Sequence, residues 1–153
     1  MAKYTKRHRA REWVLRALYA QAMDPDPATD ALDILLEHDP PREIDRAFAR
    51  RLFDTARAAG ERFDPQISQR LENWDLGRLA LIDLLLLRLA LVEFESFPDI
   101  PEEVTLNEVI ELAKRYSGAQ SGAFVNGVLE ALRRDRQTQP GDSANTTDES
   151  ASS

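Results

Sequence analysis

The chain has no cysteine, which excludes a disulfide scaffold, cysteine-ligated zinc and thiol catalysis, and fits a reducing compartment. Histidine is almost as scarce. His8 and His38 lie far apart and form no H-E-x-x-H spacing. No G-x-S-x-G, Walker or G-x-G-x-x-G pattern occurs, and a paired-carboxylate site would need two acids converging in a cleft. The sequence therefore supports neither an enzyme nor a cofactor- or metal-dependent protein. Long apolar runs are missing too. The most apolar stretch, Leu79 to Val92, carries Asp83 and Arg88 and falls short of the roughly 20 residues of a bilayer span. The N-terminus is basic but lacks the apolar core and cleavage site of a secretory signal, so a cytoplasmic location is expected.

What is present points to one folded domain. The chain has 153 residues, 42% of them apolar and 31% charged, enough to bury a sizeable core. The formal charge of −7 argues against a protein that coats nucleic acid indiscriminately, but a local basic site is compatible with it.

Residues 1–23 read as a basic arm running into a helix. Lys3, Lys6, Arg7, Arg9, Arg11 and Arg16 face a single acid, Glu12, and His8 lies among them. Ala10, Val14, Ala17, Leu18 and Gln21 mark one face, and Met23-Asp24-Pro25-Asp26-Pro27 ends the helix. Asp26-Pro27 reads as a cap and first-turn proline for a second helix through Leu32, Leu35 and Leu36, stopping at Asp39-Pro40-Pro41. A third helix is expected from Arg42 through Ile44, Phe48, Leu52, Thr55 and Ala59, ended or kinked at Gly60 or Asp64-Pro65. Ile67 and Leu71 suggest that helix resumes to about Asn73, with Trp74–Gly77 as connector and Asp75 as a candidate cap. Leu79–Glu95 is apolar nearly all round and should lie at the centre of the core. Val104–Leu132 reads as two helices joined by a loop from Tyr116 to Gly122, with Ser121 or Ser117 as the cap of the second. Beyond Arg136 no aliphatic residue is larger than alanine, so 137–153 should be a disordered tail. The expected class is all-α, about seven helices, with a helical domain over 1–136 that starts in a flexible basic arm over 1–5.

Two features invite a functional reading. Cations in a first helical turn face the positive end of the macrodipole, at a cost of a few tenths of a kcal/mol each. Concentrating Lys6, Arg7, Arg9 and Arg11 there suggests an anion to be met, phosphate above all. The bland alternative is a charged terminus kept for solubility. Phe124, near the start of the last helix, is either core or, if it faces outward, a stacking platform for a base, worth about 1–3 kcal/mol. Asp83 and Arg88, five residues apart in the leucine-rich helix, fall on different faces and read as one residue at each wet edge or as contacts to a partner.

Taken together, three runs of residues resemble the NusB family of bacterial transcription antitermination factors. They are Arg7-His8-Arg9-Ala10-Arg11-Glu12 with Ala17-Leu18-Tyr19, Asp83 with Leu87-Arg88-Leu89-Ala90-Leu91, and the series from Asn107 to Gly127 that holds Asn107-Glu108, Glu111-Leu112-Ala113-Lys114 and Phe124-Val125-Asn126-Gly127. The likeness runs from about Lys6 to Leu132. It implies two packed helical bundles and binding to the boxA element of nascent, single-stranded ribosomal RNA within the transcription elongation complex. It also implies a partner, NusE, which is a small-subunit ribosomal protein. By position, Arg7, His8 and Arg9, with Lys3 and Lys6 beside them, match the family's RNA-contacting arm. Phe124 matches its aromatic contact, and Tyr19, Asp83 and Arg88 match positions used toward NusE. Glu93, Glu95, Asp99, Glu102 and Glu103 would add acidic surface for a basic partner. Because some members self-associate, a homodimer stays open.

Two departures from the family pattern bear on RNA affinity. Ser121-Gly122-Ala123-Phe124 stands where the family often has Ser-His-Lys-Phe, and His8 replaces an arginine of the arm. Both reduce phosphate contacts, so RNA binding is expected to be weaker or to lean more on the partner. Two rival readings remain: the RNA-binding module of an RNA cytosine methyltransferase, whose catalytic domain has no room here, and a helical interaction protein that never touches RNA.

Overall fold

The computed structural model describes residues 2–71 and 76–138, with the backbone alone at residues 2–4 and 78. Among these the chain forms α1 (Ala2–Met23), α2 (Ala31–His38), α3 (Arg46–Ala59), α4 (Asp64–Gln69), α5 (Leu81–Ser96), α6 (Glu102–Ser117) and α7 (Ala119–Gln137), with 3-10 turns at Gly60–Phe63 and Leu76–Arg78. The expected all-α class and its seven helices are thus observed. The Asn73 helix end, the Trp74–Asp75 connector and the tail from 139 onward lie outside the described residues.

The helices form two bundles, α1 with α2 and α3, and α5 with α6 and α7. The apolar helix α5 also packs on α1 and α3 and so joins them. Its leucines explain why it sits there. Leu85, Leu86, Leu87, Leu89 and Leu91 are all buried, together with Ala90, Val92 and Phe94, and full burial of each large side chain is worth about 1.5–3 kcal/mol. A helix apolar around its whole circumference has no solvent face to offer and takes the centre. Phe48 of α3 meets Phe97, just after α5, edge to face at 5.5 Å between centroids.

Three boundaries differ from the sequence expectation, each for a local reason. The cap of α2 is Asp30, whose side chain accepts from the Asp33 amide. Asp26 instead closes a turn, accepting at 3.0 Å from the Ala28 amide and from the Thr29 hydroxyl. The helix begins where the first buried pair, Ala31 and Leu32, begins. Likewise α3 starts at Arg46 rather than Arg42, capped by Asp45, whose amide is taken by the Lys6 carbonyl of α1. Between α6 and α7 the loop shrinks to one residue. Gly118 has φ 106° and ψ 175°, and its amide bonds the Ala113 and Lys114 carbonyls at 3.1 and 3.0 Å. Glycine reaches this region without a Cβ penalty, so one residue reverses the chain, and Ala119–Gly122 continue as helix. Gly118, not Ser117 or Ser121, stands at the cap position, and no side chain caps α7.

Candidate nucleic-acid interface

The basic residues of the N-terminus are carried on α1 itself, which starts at Ala2 and has no acid in its first turn. The side chain of Lys3 lies outside the described residues. Lys6 is exposed, and Arg7, His8 and Arg9 are half-buried.

One side of this helix lies against the segment before α3. Trp13 Nε1 donates to the Asp39 carbonyl at 3.0 Å, Arg9 Nη1 to the Glu43 carbonyl at 3.4 Å, and the Asp45 amide to the Lys6 carbonyl at 3.2 Å. Arg7 is pinned here. Its Nε stands 3.5 Å from Asp45 Oδ2 and its guanidinium lies 4.6 Å from the centroid of the Phe48 ring.

Another face of α1 meets α5 and α6 through a buried polar network. Arg11 donates to both oxygens of Glu93 at 2.7 and 2.9 Å, and Thr105 Oγ1 donates to Glu93 Oε1 at 2.7 Å. Glu108 Oε1 stands 3.7 Å from Arg11 Nη1 and 2.6 Å from His8 Nδ1. Arg11, Glu93 and Glu108 are each no more than 2% exposed. Two expectations are corrected by this. Arg11 has its anion inside the protein, not in a phosphate, and Glu93 is no part of an acidic surface. A signal existed in the sequence, because Arg11 shares the helical face of Val14, Leu15 and Leu18, which are buried, and Glu93 interrupts an apolar helix. Further along, Tyr116 donates to Glu12 at 2.6 Å. Burial first, then this hydrogen bond, pushes the Tyr116 hydroxyl up to about 12.

Phe124 is half-buried and packs against the core. It is neither a free platform nor an interior ring. Helix α1 packs on α6, and α6 on α7, so α6 links the helix of the N-terminal cations to the helix of Phe124. Gly122 is buried, and a Cβ there would stand 2.7 Å from Lys114 Cγ, so the lysine stem fills the room that a side chain at 122 would need.

The residues matched to the protein partner are not all on the surface. Tyr19 is 39% exposed. Asp83, expected at a wet edge, is 7% exposed. Its Oδ2 accepts from Ser121 Oγ at 3.3 Å, and its Oδ1 is buried without a hydrogen-bond donor. Burial pushes this carboxyl above its usual range, with the Ser121 bond opposing. Arg88 is held by Asp64 through two bonds of 2.9 and 2.8 Å. Among α1, α3 and α5 a groove of about 360 Å³ is lined by Leu18, Gln21, Ala56, Arg57, Leu85 and Arg88. Of the other acids expected on this surface, Glu95 pairs with Arg62, and Glu102 with Arg133 and Arg136. Glu103 and Asp99 are exposed. Among the described residues no helix is long and apolar enough to cross a membrane.

Comparison with known proteins places this geometry in context. The model of the NusB family matches residues 8–134. The chain is 40% identical to a transcription antitermination protein NusB from Salinibacter ruber, over 88% of this chain and 85% of that one. It is 37% identical to a protein of the same description from Desulfatibacillum aliphaticivorans, over 83% and 89%. Among solved structures it is similar to NusB of T. maritima, at TM-score 0.70 and 37% identity, covering 84% of this chain and 90% of that one. It is also similar to a chain in a crystal structure of antitermination factors NusB and NusE in complex with dsRNA, at TM-score 0.75 and 26% identity, covering 88% and 98%.

Proposed function

The chain belongs to the NusB family of non-enzymatic transcription antitermination proteins, and on that premise we propose that it binds the boxA element of nascent ribosomal RNA together with NusE. The observation that carries the RNA reading is the start of α1. Its first turn holds no acid, and Lys6 stands exposed in a chain whose arginines are mostly matched to carboxylates. Lys6, the fifth residue of α1, meets no carboxylate among the described residues and is free to meet an RNA phosphate.

In this reading Lys3, Lys6 and Arg9 hold phosphates, and Phe124 offers the exposed part of its ring to a base. Arg7 and His8 contribute from a more constrained position, since Asp45 and Glu108 already hold them. Tyr19 and the groove bordered by Arg88 receive NusE. Asp83 acts indirectly, by anchoring the first turn of α7 through Ser121. The protein works in the cytoplasm, within the transcription elongation complex.

An electrophoretic mobility shift with boxA RNA, with and without NusE, tests this. A shift that strengthens when NusE is added supports the reading. A NusE complex that never retains RNA would leave a helical interaction protein in its place.

A further inference from the structure

The segment from Asp39 to Asp45 runs along α1 in the opposite direction, with Asp39 at Trp13, Glu43 at Arg9 and Asp45 at Lys6 and Arg7. It brings two further arginines to the exposed cations of α1. Arg42 precedes the residue whose carbonyl accepts from Arg9, and Arg46 follows the residue whose amide bonds to Lys6. Consecutive Cα atoms are about 3.8 Å apart, so each arginine springs from the backbone beside this seam.

Both are exposed, and neither meets a carboxylate among the described residues. That sets them apart from Arg16, Arg50, Arg70 and Arg88, which stand against Asp39, Asp30, Asp135 and Asp64. The acids of the segment do not cancel the charge. Asp39 is paired with Arg16 and Asp45 is engaged in capping α3 and in holding Arg7, which leaves Glu43 against Lys6, Arg9, Arg42 and Arg46.

We infer that Arg42 and Arg46 are RNA-backbone contacts, and that the phosphate track is a seam of two elements rather than α1 alone. Arg7 is then a positioning residue, tying the segment to the helix through Asp45 and Phe48. The ligand chemistry is a run of phosphates, because the four cations stand on two strands of backbone with no donor set shaped for one small anion. This deepens the RNA reading above and rests on it.

The test is the salt dependence of boxA RNA binding by the full chain, wild type against R42Q/R46Q, with R62Q/R134Q as a variant of equal charge change elsewhere. For a single strand each phosphate contact contributes about 0.7 to the slope of log K on log salt. The seam variant should lose about 1.4 from the magnitude of the slope and roughly tenfold in affinity near 0.1 M salt. The other variant should keep the wild-type slope, and all three proteins should melt alike. An unchanged slope for R42Q/R46Q, or an equal loss in both variants, would overturn the inference while leaving RNA binding standing. So would an unchanged slope with weakened NusE binding, which assigns the two arginines to the protein partner. A wild-type protein that binds no RNA would bring down both this inference and the function it rests on.

Discussion

Arg11 and Glu93 face each other across the centre of the molecule, joined by two hydrogen bonds of 2.7 and 2.9 Å and shielded almost completely from water. They tie α1 to α5, and through Thr105 and Glu108 they tie both to α6. Breaking one partner of such a pair leaves a buried charge alone, at about 3–5 kcal/mol. Glu93→Leu should therefore destabilise the fold by that amount in urea titrations. Replacing both, as R11M/E93L, should recover part of the loss, because it removes the unpaired guanidinium but takes a cation from the buried Glu108.

The Gly118 turn gives a second expectation. Its φ of 106° with ψ of 175° lies where side-chain-bearing residues are strained by about 1–3 kcal/mol. Nothing stands within 4 Å of a Cβ built there, so Gly118→Ala tests backbone strain without a clash. Urea unfolding should show a loss in that range.

Much of this fold was legible in the chain, and the parts that were not share a cause. Helix α5 declared itself, since a run of leucines bounded by turns has one sensible place. The pair α6–α7 did so as well, but its turn did not, because serine, glycine and alanine over 117–122 tolerate helix as readily as loop. Asp26 and Asp30 are both competent caps, and only burial of Ala31 and Leu32 decides between them. In the candidate site the exposed cation Lys6 was visible from charge pattern alone. The internal role of Arg11 was not, because an arginine's partner 82 residues away leaves no local trace beyond its helical face. Asp83 misled for the same reason, its helix covering it more than its polarity suggests.

Asp83 supplies a pH dependence. Its carboxyl is pushed above the usual carboxylate range by burial, against the Ser121 bond. A group with a raised folded-state pKa contributes stability that is full below its unfolded pKa and is lost as pH rises through the folded one. Ionised Asp83 therefore works against folding at neutral pH. Asp83→Asn should be stabilised relative to wild type at pH 7, and the difference should shrink as pH falls toward 4. Thermal melts of both proteins across pH 4–7 check it.

Tyr19 is exposed on α1, where an aromatic suits a protein contact. Tyr19→Ala should weaken NusE binding by about 1–2 kcal/mol in calorimetry. RNA binding by the protein alone should be unaffected. Equal losses in both would remove the proposed division between the two surfaces.

The central claim is that the cations opening α1 hold RNA. Charge reversal of Lys6 and Arg9 tests it most directly, since Arg7 and Arg11 also support the fold and would confuse the result. Fluorescence anisotropy of labelled boxA RNA should give a measurable affinity for wild type and at least a hundredfold weaker binding for K6E/R9E, roughly two lost phosphate contacts plus repulsion. The circular dichroism of the two proteins should match. RNA affinity unchanged in the folded variant would contradict the account.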